Sequence, residues 1–264
     1  MRLAARGSIY DLPASGPPSS WWEQRPHLPY LLPLLAFGLI MAPGGLFGNF
    51  GGIDWKAVWH HWHPWIYFIK TVVAGVMIWM FWRHYTKIQW SHFGLAAVVG
   101  LVGVPLWVLT EYAAQYVGWS TAPMPCAFDA RGHHTIVGDM YVPDVELHDP
   151  AARILFLIIR VAGPTLVVPI MEELFYRDFM MRALVGGVRF EDVKVGAFSW
   201  LSLIGTAGVF TMSHFQKPSA LLWGLMIGVL AVRTKSIGAC IIAHGVTNLV
   251  LYLYVIYTGD WQFM

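Results

Sequence analysis

Charged residues are scarce in this sequence of 264 residues, because Asp, Glu, Lys and Arg together make up only 12% of it. Soluble domains carry about 25%, so the scarcity argues against a water-soluble globular protein. The formal net charge of +2 is too small to suggest a nucleic-acid partner. Only two cysteines are present, Cys126 and Cys240, and their wide separation supports no disulfide framework. The sequence also lacks an internal repeat, a second soluble domain and the zinc-protease pattern HExxH.

Apolar residues dominate the rest of the composition, at 57% of the chain with a mean hydropathy of +0.55. Fourteen tryptophans fit this pattern, since indole rings settle at the membrane–water boundary. The composition predicts an all-α, polytopic transmembrane helix bundle of seven or eight spans. A spanning helix needs about 20 mostly apolar residues, which places helices near residues 30–48, 65–82, 91–110, 152–184, 196–213, 219–232 and 236–257, with an eighth candidate within 53–64.

The chain divides by composition into three parts. Residues 1–29 are rich in proline and serine and are expected to form a flexible cytoplasmic tail. Residues 30–150 are expected to hold the amino-terminal helices and an acidic extracytoplasmic loop, and residues 151–264 the functional core. No secretory signal is expected, because the first long apolar run begins only at Tyr30.

The distribution of Lys and Arg predicts a cytoplasmic amino terminus, because basic residues concentrate on the cytoplasmic side of a membrane protein. Ten lie on the amino-terminal side of the predicted bundle and three lie clearly outside the spans on the other: Arg2, Arg6, Arg25, Arg83, Lys87, Arg182, Arg189, Lys194, Arg233 and Lys235 against Lys56, Arg131 and Lys217. Inside the spans, Lys70 is expected to snorkel, and Arg160 to reach lipid headgroups or offset the charge near Arg153.

Two adjacent glutamates, Glu172 and Glu173, follow an apolar run that begins near Ile154, in the stretch PIMEELFYRDFMMR. An ionised carboxylate in a dry apolar medium is costly, so such groups are paired, protonated or functional. Glu173 and Arg177 stand four residues apart with the acid first, which favours an ion pair on one helix face. Glu172 is five residues from Arg177 and lacks that partner, which suits it to proton transfer.

Two histidines and an asparagine form the other polar positions within apolar helices. His214 follows Phe210 by four residues, and Asn248 follows His244 by four, so each pair shares a helix face. From the helical rise, His214 and His244 should differ in depth by roughly 10 Å, which tilt and side chains can close. Each residue alone could serve only as an interhelical hydrogen bond, but together with Glu172 they predict one shared cavity.

These residues resemble the motifs of the CAAX-protease and bacteriocin-processing intramembrane proteases, the family of the prenyl protein endopeptidase. EELFYR resembles the family's EExxxR, FTMSH its FxxxH, and HGVTN its final His followed four residues later by Asn or Asp. The three occur in the family's order, and the likeness covers roughly residues 160–257. The wider stretches VVPIMEELFYRDFMMR and RTKSIGACIIAHGVTNLVL are most similar to bacterial CAAX-protease-related proteins associated with exosortase systems.

The resemblance implies an endopeptidase of the bacterial inner membrane that cuts near the carboxyl terminus of a membrane-associated protein. Glu172 is expected to be the base that activates water, with His214 assisting, while His244 and Asn248 donate hydrogen bonds to the oxyanion. Glu173, Arg177 and Phe210 are expected to support them. A metal-free site is favoured, although a zinc ion would be held by Glu172, His214 and His244.

Two other functions remain open at this point. One is a non-catalytic membrane immunity or assembly factor that keeps the pocket for binding. The other is a proton-coupled carrier that uses the same acid and histidines, although the sequence shows no paired broken segments typical of inverted repeats. The expected partners are the lipid bilayer and a membrane-associated protein or peptide, without nucleic acid; the substrate and the oligomeric state are left open.

Overall fold

The computed structural model describes residues 21, 24–41, 49–50, 53–120, 126–128, 134–136, 143 and 147–264. Most of the tail predicted for residues 1–29 and much of the acidic loop between 118 and 150 lie outside the described residues. The three-part division of the chain therefore stays a prediction.

The described part of the chain is a bundle of α-helices. In chain order they are α1 Leu28–Met41, α2 Trp55–Met80, α3 Phe93–Tyr116, α4 Pro150–Ala162, α5 Val168–Glu173, α6 Met181–Gly186, α7 Trp200–Met212, α8 Lys217–Thr234 and α9 Ile237–Thr258. Two π-helical segments, Gly163–Val167 and Leu174–Met180, join α4, α5 and α6 into one long rod. Short 3-10 turns lie at Trp82–His84, Gly187–Asp192 and Trp261–Phe263. Two small antiparallel hairpins pair Asn49–Phe50 (β1) with Ile53–Asp54 (β2) and Cys126–Phe128 (β3) with His134–Ile136 (β4).

This architecture confirms the predicted all-α membrane class. Among the described residues, four helices are long and apolar enough to cross a bilayer: His61–Met80, Phe93–Tyr116, Pro150–Asp192 and Ile237–Thr258. Their outward faces carry large exposed apolar side chains, such as Trp79 and Leu109, as expected where lipid replaces water. The stretches Leu28–Ile40 and Trp200–Met212 are shorter apolar helices.

The eighth segment considered within residues 53–64 is wrong. Ile53–Asp54 form β2, and residues 55–64 form the first part of α2, which runs without interruption from Trp55 to Met80 and contains Pro64. A proline removes one backbone hydrogen bond, and helices buried in a bundle tolerate that loss because neighbouring groups satisfy the freed carbonyl.

Pro164 and Pro169 lie inside the long rod, where the backbone forms the first π segment. The backbone N–H of Val168 bonds to the carbonyl of Gly163, five residues earlier. The same pattern would pair the Pro164 carbonyl with residue 169, but Pro169 has no N–H to donate. The side-chain amide of Asn248 donates to the Pro164 carbonyl instead, over 2.8 Å. A side chain of α9 thus supplies the hydrogen bond that the backbone of the rod cannot supply.

Small residues allow α3 and α9 to approach closely. A Cβ added at Gly100 would lie 2.6 Å from the carbonyl oxygen of Ala243. The hydroxyl of Thr247 donates to the carbonyl oxygen of Gly100 over 2.8 Å. Close backbone contact of this kind is typical of membrane helix packing. Helices in lipid associate through van der Waals contact and not through the hydrophobic effect, and small residues allow that contact. The contact fixes the depth of His244, which follows Ala243 directly.

A second buried network holds the amino-terminal helix to the rod. The hydroxyl of Tyr30 donates to Asp178 over 3.1 Å, and Asp178 is paired with Arg182 four residues later. Arg182 also donates through Nε to the carbonyl of Val193 over 2.6 Å. Because α1 lies outside the long rod's own sequence, this network connects distant parts of the chain.

We expect Gly100→Ala to destabilise the protein. Alanine raises helix propensity by about 1 kcal/mol, but overpacking against the α9 backbone costs about 1–3 kcal/mol. Thermal unfolding of the purified protein in detergent measures the balance. Gly208→Ala on α7 is the matched control, because no atom lies within 4 Å of a Cβ added there, and it should keep or raise the melting temperature. Equal melting temperatures for the two variants would contradict the close contact.

Candidate active site

The two adjacent glutamates have different surroundings. Both lie at the end of α5, directly before the second π segment. Glu173 is 0% exposed, whereas Glu172 is 9% exposed and lines a cavity. Successive helix residues point about 100° apart, so the neighbours serve opposite sides of the rod. Within the described residues, Oε2 of Glu172 accepts no hydrogen bond, which leaves it available to a water or a substrate.

Glu173 is the centre of a buried charged network. Its Oε2 lies 3.2 Å from Nε of Arg177, as the i,i+4 spacing predicted. Its Oε1 lies 2.7 Å from Nδ1 of His244 on α9. Sequence reasoning missed this second partner, because spacing within one helix says nothing about which residue of another helix will face it.

The contact with Glu173 decides the orientation of His244. Nδ1 donates its proton to the carboxylate, so Nε2 is the ring nitrogen left for the cavity that His244 lines. The ring is 5.9 Å from that of Trp223 and 6.4 Å from that of Phe210. His244 is therefore held on three sides by packed groups.

Phe210 positions His214 through a hydrogen bond and a ring contact. The backbone carbonyl of Phe210 accepts from Nδ1 of His214 over 2.8 Å, and Nε2 of His214 has no hydrogen-bond partner among the residues that the structure describes. The ring of Phe210 is fully buried, with its centroid 4.2 Å from that of His214 and 5.2 Å from Cζ of Arg177. Burial lowers the pKa of His214, which follows the end of α7, while the negative charge of Glu172 acts in the opposite sense. A neutral imidazole with a free Nε2 can accept a proton.

Asn248 combines a structural contact with a place at the cavity. One amide N–H is used by the Pro164 carbonyl, and an asparagine amide carries two donors, so one remains. Gly245, between His244 and Asn248, would place a Cβ 2.9 Å from the carbonyl oxygen of Thr165. The glycine in HGVTN therefore permits α9 to approach the first π segment. Its position between two polar residues on a helix was a signal that sequence reasoning did not use.

The four residues predicted to be catalytic line one cavity of about 220 Å³: Glu172, His214, His244 and Asn248. They come from the rod, from the turn after α7 and from α9, and Phe210 lines the same space. A water molecule occupies about 30 Å³ of liquid volume, so the cavity has room for several waters or a short stretch of peptide. The arrangement can place a water between a carboxylate and imidazole nitrogens, with an amide donor close by.

Residues 154–250 match the family model of the type II CAAX prenyl endopeptidase Rce1-like proteins.

The matched segment runs from α4 to α9 and contains all three motifs. The family is one of proteases, so the match supports a peptidase, and with the four apolar helices it indicates a membrane protein. No curated protein and no solved structure matches the chain. The amino-terminal helices α1 to α3 lie outside the matched segment, although α3 supplies the packing surface of α9.

The expectations for the intramembrane cations Lys70 and Arg160 are wrong. Both line the cavity, with their charged ends against aromatic rings of the bundle. Lys70 is 6% exposed, with Nζ 4.2 Å from the ring centroid of Phe37 and 4.4 Å from that of Tyr67. Cζ of Arg160 lies 4.2 Å from the centroid of the same Tyr67 ring. Aromatic faces attract cations and hold these chains inside the bundle.

The positions of Glu172, His214 and His244 do not fit a zinc site. A zinc site needs three protein ligands at about 2 Å from the ion, and in the described ranges no group of three or more His, Cys, Asp or Glu side chains could hold a metal ion. The prediction of a metal-free reaction stays a prediction.

The two glutamates should differ sharply in their effect on stability. Glu173→Gln leaves Arg177 and His244 without their acid in a buried site, and breaking a buried pair costs about 3–5 kcal/mol. Glu172→Gln, the same substitution one residue earlier, removes no ion pair among the described residues and should change stability by less than about 1 kcal/mol. Denaturant unfolding in detergent compares them. An equal loss in both variants would refute the assignment of Glu173 as the structural acid.

Proposed function

We propose that the protein is an intramembrane endopeptidase that hydrolyses a peptide bond near the carboxyl terminus of a membrane-associated protein. The observation that carries the proposal is the meeting of Glu172, His214, His244 and Asn248 on one cavity inside the segment matched by the protease family. We place it in the bacterial inner membrane with a cytoplasmic amino terminus, as the Lys and Arg distribution predicts. From the likeness of its motif stretches to exosortase-associated proteins, we also propose a role in the carboxy-terminal processing of surface proteins.

Glu172 is the base in this mechanism. Its carboxylate takes a proton from a water molecule, and Nε2 of His214 accepts a hydrogen bond from the same water and orients it. The activated water attacks the scissile carbonyl carbon. Glu172 then returns the proton to the nitrogen of the leaving peptide, so that one group serves as base and acid in turn. The burial of the site strengthens these interactions, since charges are poorly screened away from water.

His244 and Asn248 stabilise the negative charge that develops on the carbonyl oxygen. Glu173 accepts a hydrogen bond from Nδ1 of His244 and so turns Nε2 toward the cavity, where in this mechanism Nε2 donates a hydrogen bond to the carbonyl oxygen. The second amide N–H of Asn248 is the other donor. Arg177 neutralises Glu173 and, through its contact with the Phe210 ring, holds α7 against the rod.

Substitutions of the proposed base and of a proposed oxyanion donor should reduce activity to different extents. Glu172→Gln should abolish cleavage, because an amide cannot accept the proton of water. Asn248→Ala should leave about a hundredth to a thousandth of the rate, the usual cost of one oxyanion donor. Comparison of membrane proteomes from cells carrying wild-type protein, each variant or Gly208→Ala identifies the substrate as a protein that accumulates uncut. Gly208→Ala, which lies away from the cavity lining, should cleave normally.

A non-catalytic immunity or assembly factor is the main competing function. The comparison of membrane proteomes distinguishes it from a protease. A binding factor needs the cavity but not a base, so Glu172→Gln would leave every membrane protein as it is in wild-type cells. Unchanged proteomes with a normally folded variant would therefore end the proposal of a protease.

We also expect activity to survive removal of metal ions. The cavity residues are not placed as a three-ligand set, so purified protein treated with a strong chelator and dialysed should retain full cleavage of its substrate. Metal content is measured on the same sample by atomic emission. Loss of activity that added zinc alone restores would contradict a metal-free mechanism.

A further inference from the structure

His214 lies in a turn, whereas the other three residues proposed to act in the cavity lie on helices. Its helix, α7, ends at Met212, and α8 begins only at Lys217. Glu172, by contrast, is carried by the rod. Turns are generally held less firmly than helices, yet in the proposed mechanism one water molecule contacts both side chains. The turn therefore needs a fixed position relative to the rod.

The hydroxyl of Tyr176 connects the rod to this turn. Tyr176 belongs to the second π segment and follows Glu172 by four residues, a spacing that directs two side chains toward the same side of a helix. Its hydroxyl oxygen lies 3.0 Å from Oγ of Ser213, the residue before His214. Tyr176 is only 1% exposed, and a buried hydroxyl needs a hydrogen-bond partner. Ser213 provides one.

The protons in this group of hydrogen bonds can be assigned from one shared acceptor, the carbonyl oxygen of Phe210. A carbonyl oxygen can only accept, so Nδ1 of His214 donates to it over 2.8 Å and Oγ of Ser213 donates to it over 2.7 Å. Ser213 has then used its single proton, and its oxygen accepts from the hydroxyl of Tyr176. The same oxygen lies 3.1 Å from Nδ1 of His214, as a second acceptor for the Nδ1 proton. In the neutral ring, Nε2 therefore carries no proton.

We propose that Tyr176 is a positioning residue, which acts through Ser213 to hold the His214 ring in place with its proton on Nδ1. The inference rests on the proposed function, in which Nε2 of His214 accepts a hydrogen bond from the reacting water. Neither Tyr176 nor Ser213 lines the cavity, so neither touches the substrate. Their effect on the reaction passes through His214 alone.

Loss of the Tyr176 hydroxyl should free the hydroxyl of Ser213 to rotate. A hydroxyl that accepts a hydrogen bond becomes a stronger donor in its own bond, so Tyr176 strengthens the bond from Ser213 to the Phe210 carbonyl. Without Tyr176, the Ser213 hydroxyl can donate to Nδ1 of His214 instead. That arrangement requires the ring proton to move to Nε2. A protonated Nε2 cannot accept a hydrogen bond from water.

Packing of the Tyr176 ring is the simpler explanation of this residue. The ring centroid lies 5.2 Å from that of Phe210 and 4.8 Å from that of Phe175, both in edge-to-face contacts. These contacts need the ring and not the hydroxyl. Tyr176→Phe therefore preserves the packing while it removes the bond to Ser213, and the variant separates the two explanations.

The tautomer of His214 is the first test, and it needs no substrate. Histidine labelled with nitrogen-15 is incorporated into the whole chain in detergent, and the His214 signals are those that a His214→Gln sample lacks. At mildly alkaline pH, where the ring is neutral, the chemical shifts of the two ring nitrogens show which one carries the proton. We expect Nδ1 in the wild-type protein and a shift of the population toward Nε2 in Tyr176→Phe. An unchanged tautomer in that variant would overturn the inference.

The rate of cleavage is the second test, with the protein that accumulates uncut in Glu172→Gln cells as substrate. Tyr176→Phe and Ser213→Ala should each lower kcat by on the order of 10- to 100-fold, as for a misplaced catalytic group. KM should not change, because neither residue lines the cavity. The double variant should be no slower than the slower single variant, since both substitutions break the same connection. Additive losses, or an unchanged kcat in Ser213→Ala, would contradict a role exerted through Ser213.

Tyr30→Phe is the matched control. Tyr30 is also buried, and its hydroxyl donates to Asp178, but it does not line the cavity. The control should lose stability without a change in the His214 tautomer or in kcat. Melting temperatures identify any variant that fails to fold, and Ser213→Ala, on the exposed turn, decides the question if Tyr176→Phe does not fold. An equal change of tautomer in Tyr30→Phe would attribute the effect to lost stability and overturn the inference.

The outcomes separate this inference from the proposed function. If no uncut protein accumulates in Glu172→Gln cells, the protease fails, and the tautomer measurement alone decides whether Tyr176 positions His214. If cleavage is found but Tyr176→Phe leaves kcat unchanged, the protease stands and the inference fails.

Discussion

A carboxylate buried in a membrane bundle needs partners, and the way Glu173 obtains them organises the site. One oxygen faces Arg177 on its own rod and the other faces His244 on α9. Arg177 in turn lies against the ring of Phe210, which precedes His214 by one helical turn. Each of the three motifs therefore contributes to one contact network. Since an unpaired charge there would cost several kcal/mol, the helices have little freedom to separate or slide.

Backbone chemistry imposes the second constraint. Pro164 and Pro169 prevent regular hydrogen bonding in the rod, and the freed Pro164 carbonyl takes the amide of Asn248. The absence of a side chain at Gly245 lets α9 come close enough for this bond. The same helix also packs closely against α3 at Gly100. The two contacts place His244 and Asn248 at fixed depths, although neither glycine nor proline takes part in any chemistry.

The separation of roles between adjacent acids has a simple origin. Consecutive residues on a helix point about 100° apart, so Glu173 reaches the packed interior while Glu172 reaches the cavity. One acid is neutralised by an arginine and becomes a structural element. The other keeps an oxygen without a hydrogen bond from the described residues, in a cavity whose lining also carries Lys70 and Arg160. The cations there belong to helices α2 and α4, so the cavity depends on parts of the bundle beyond the three motifs.

The membrane class and most of the helices could be predicted from the sequence, as could four of the polar residues that line the cavity: Glu172, His214, His244 and Asn248. Hydropathy and i,i+4 spacing are local properties, so they identified the ion pair of Glu173 with Arg177 and separated Glu172 from it. The same local rules failed for Lys70 and Arg160, which were expected at the membrane surface. Whether a long cation extends to water or turns inward depends on the rings that other helices present to it, and no single-helix pattern contains that information.

The sequence by itself determined which groups could do chemistry, because residue type and spacing along one helix are written in it. Only the tertiary structure decided which of them meet. Glu173 and His244 are 71 residues apart, and Asn248 and Pro164 are 84 apart. Contacts over such separations depend on how far one helix slides and rotates against another. That position is set by packing at glycines, by freed carbonyls and by buried charges acting together.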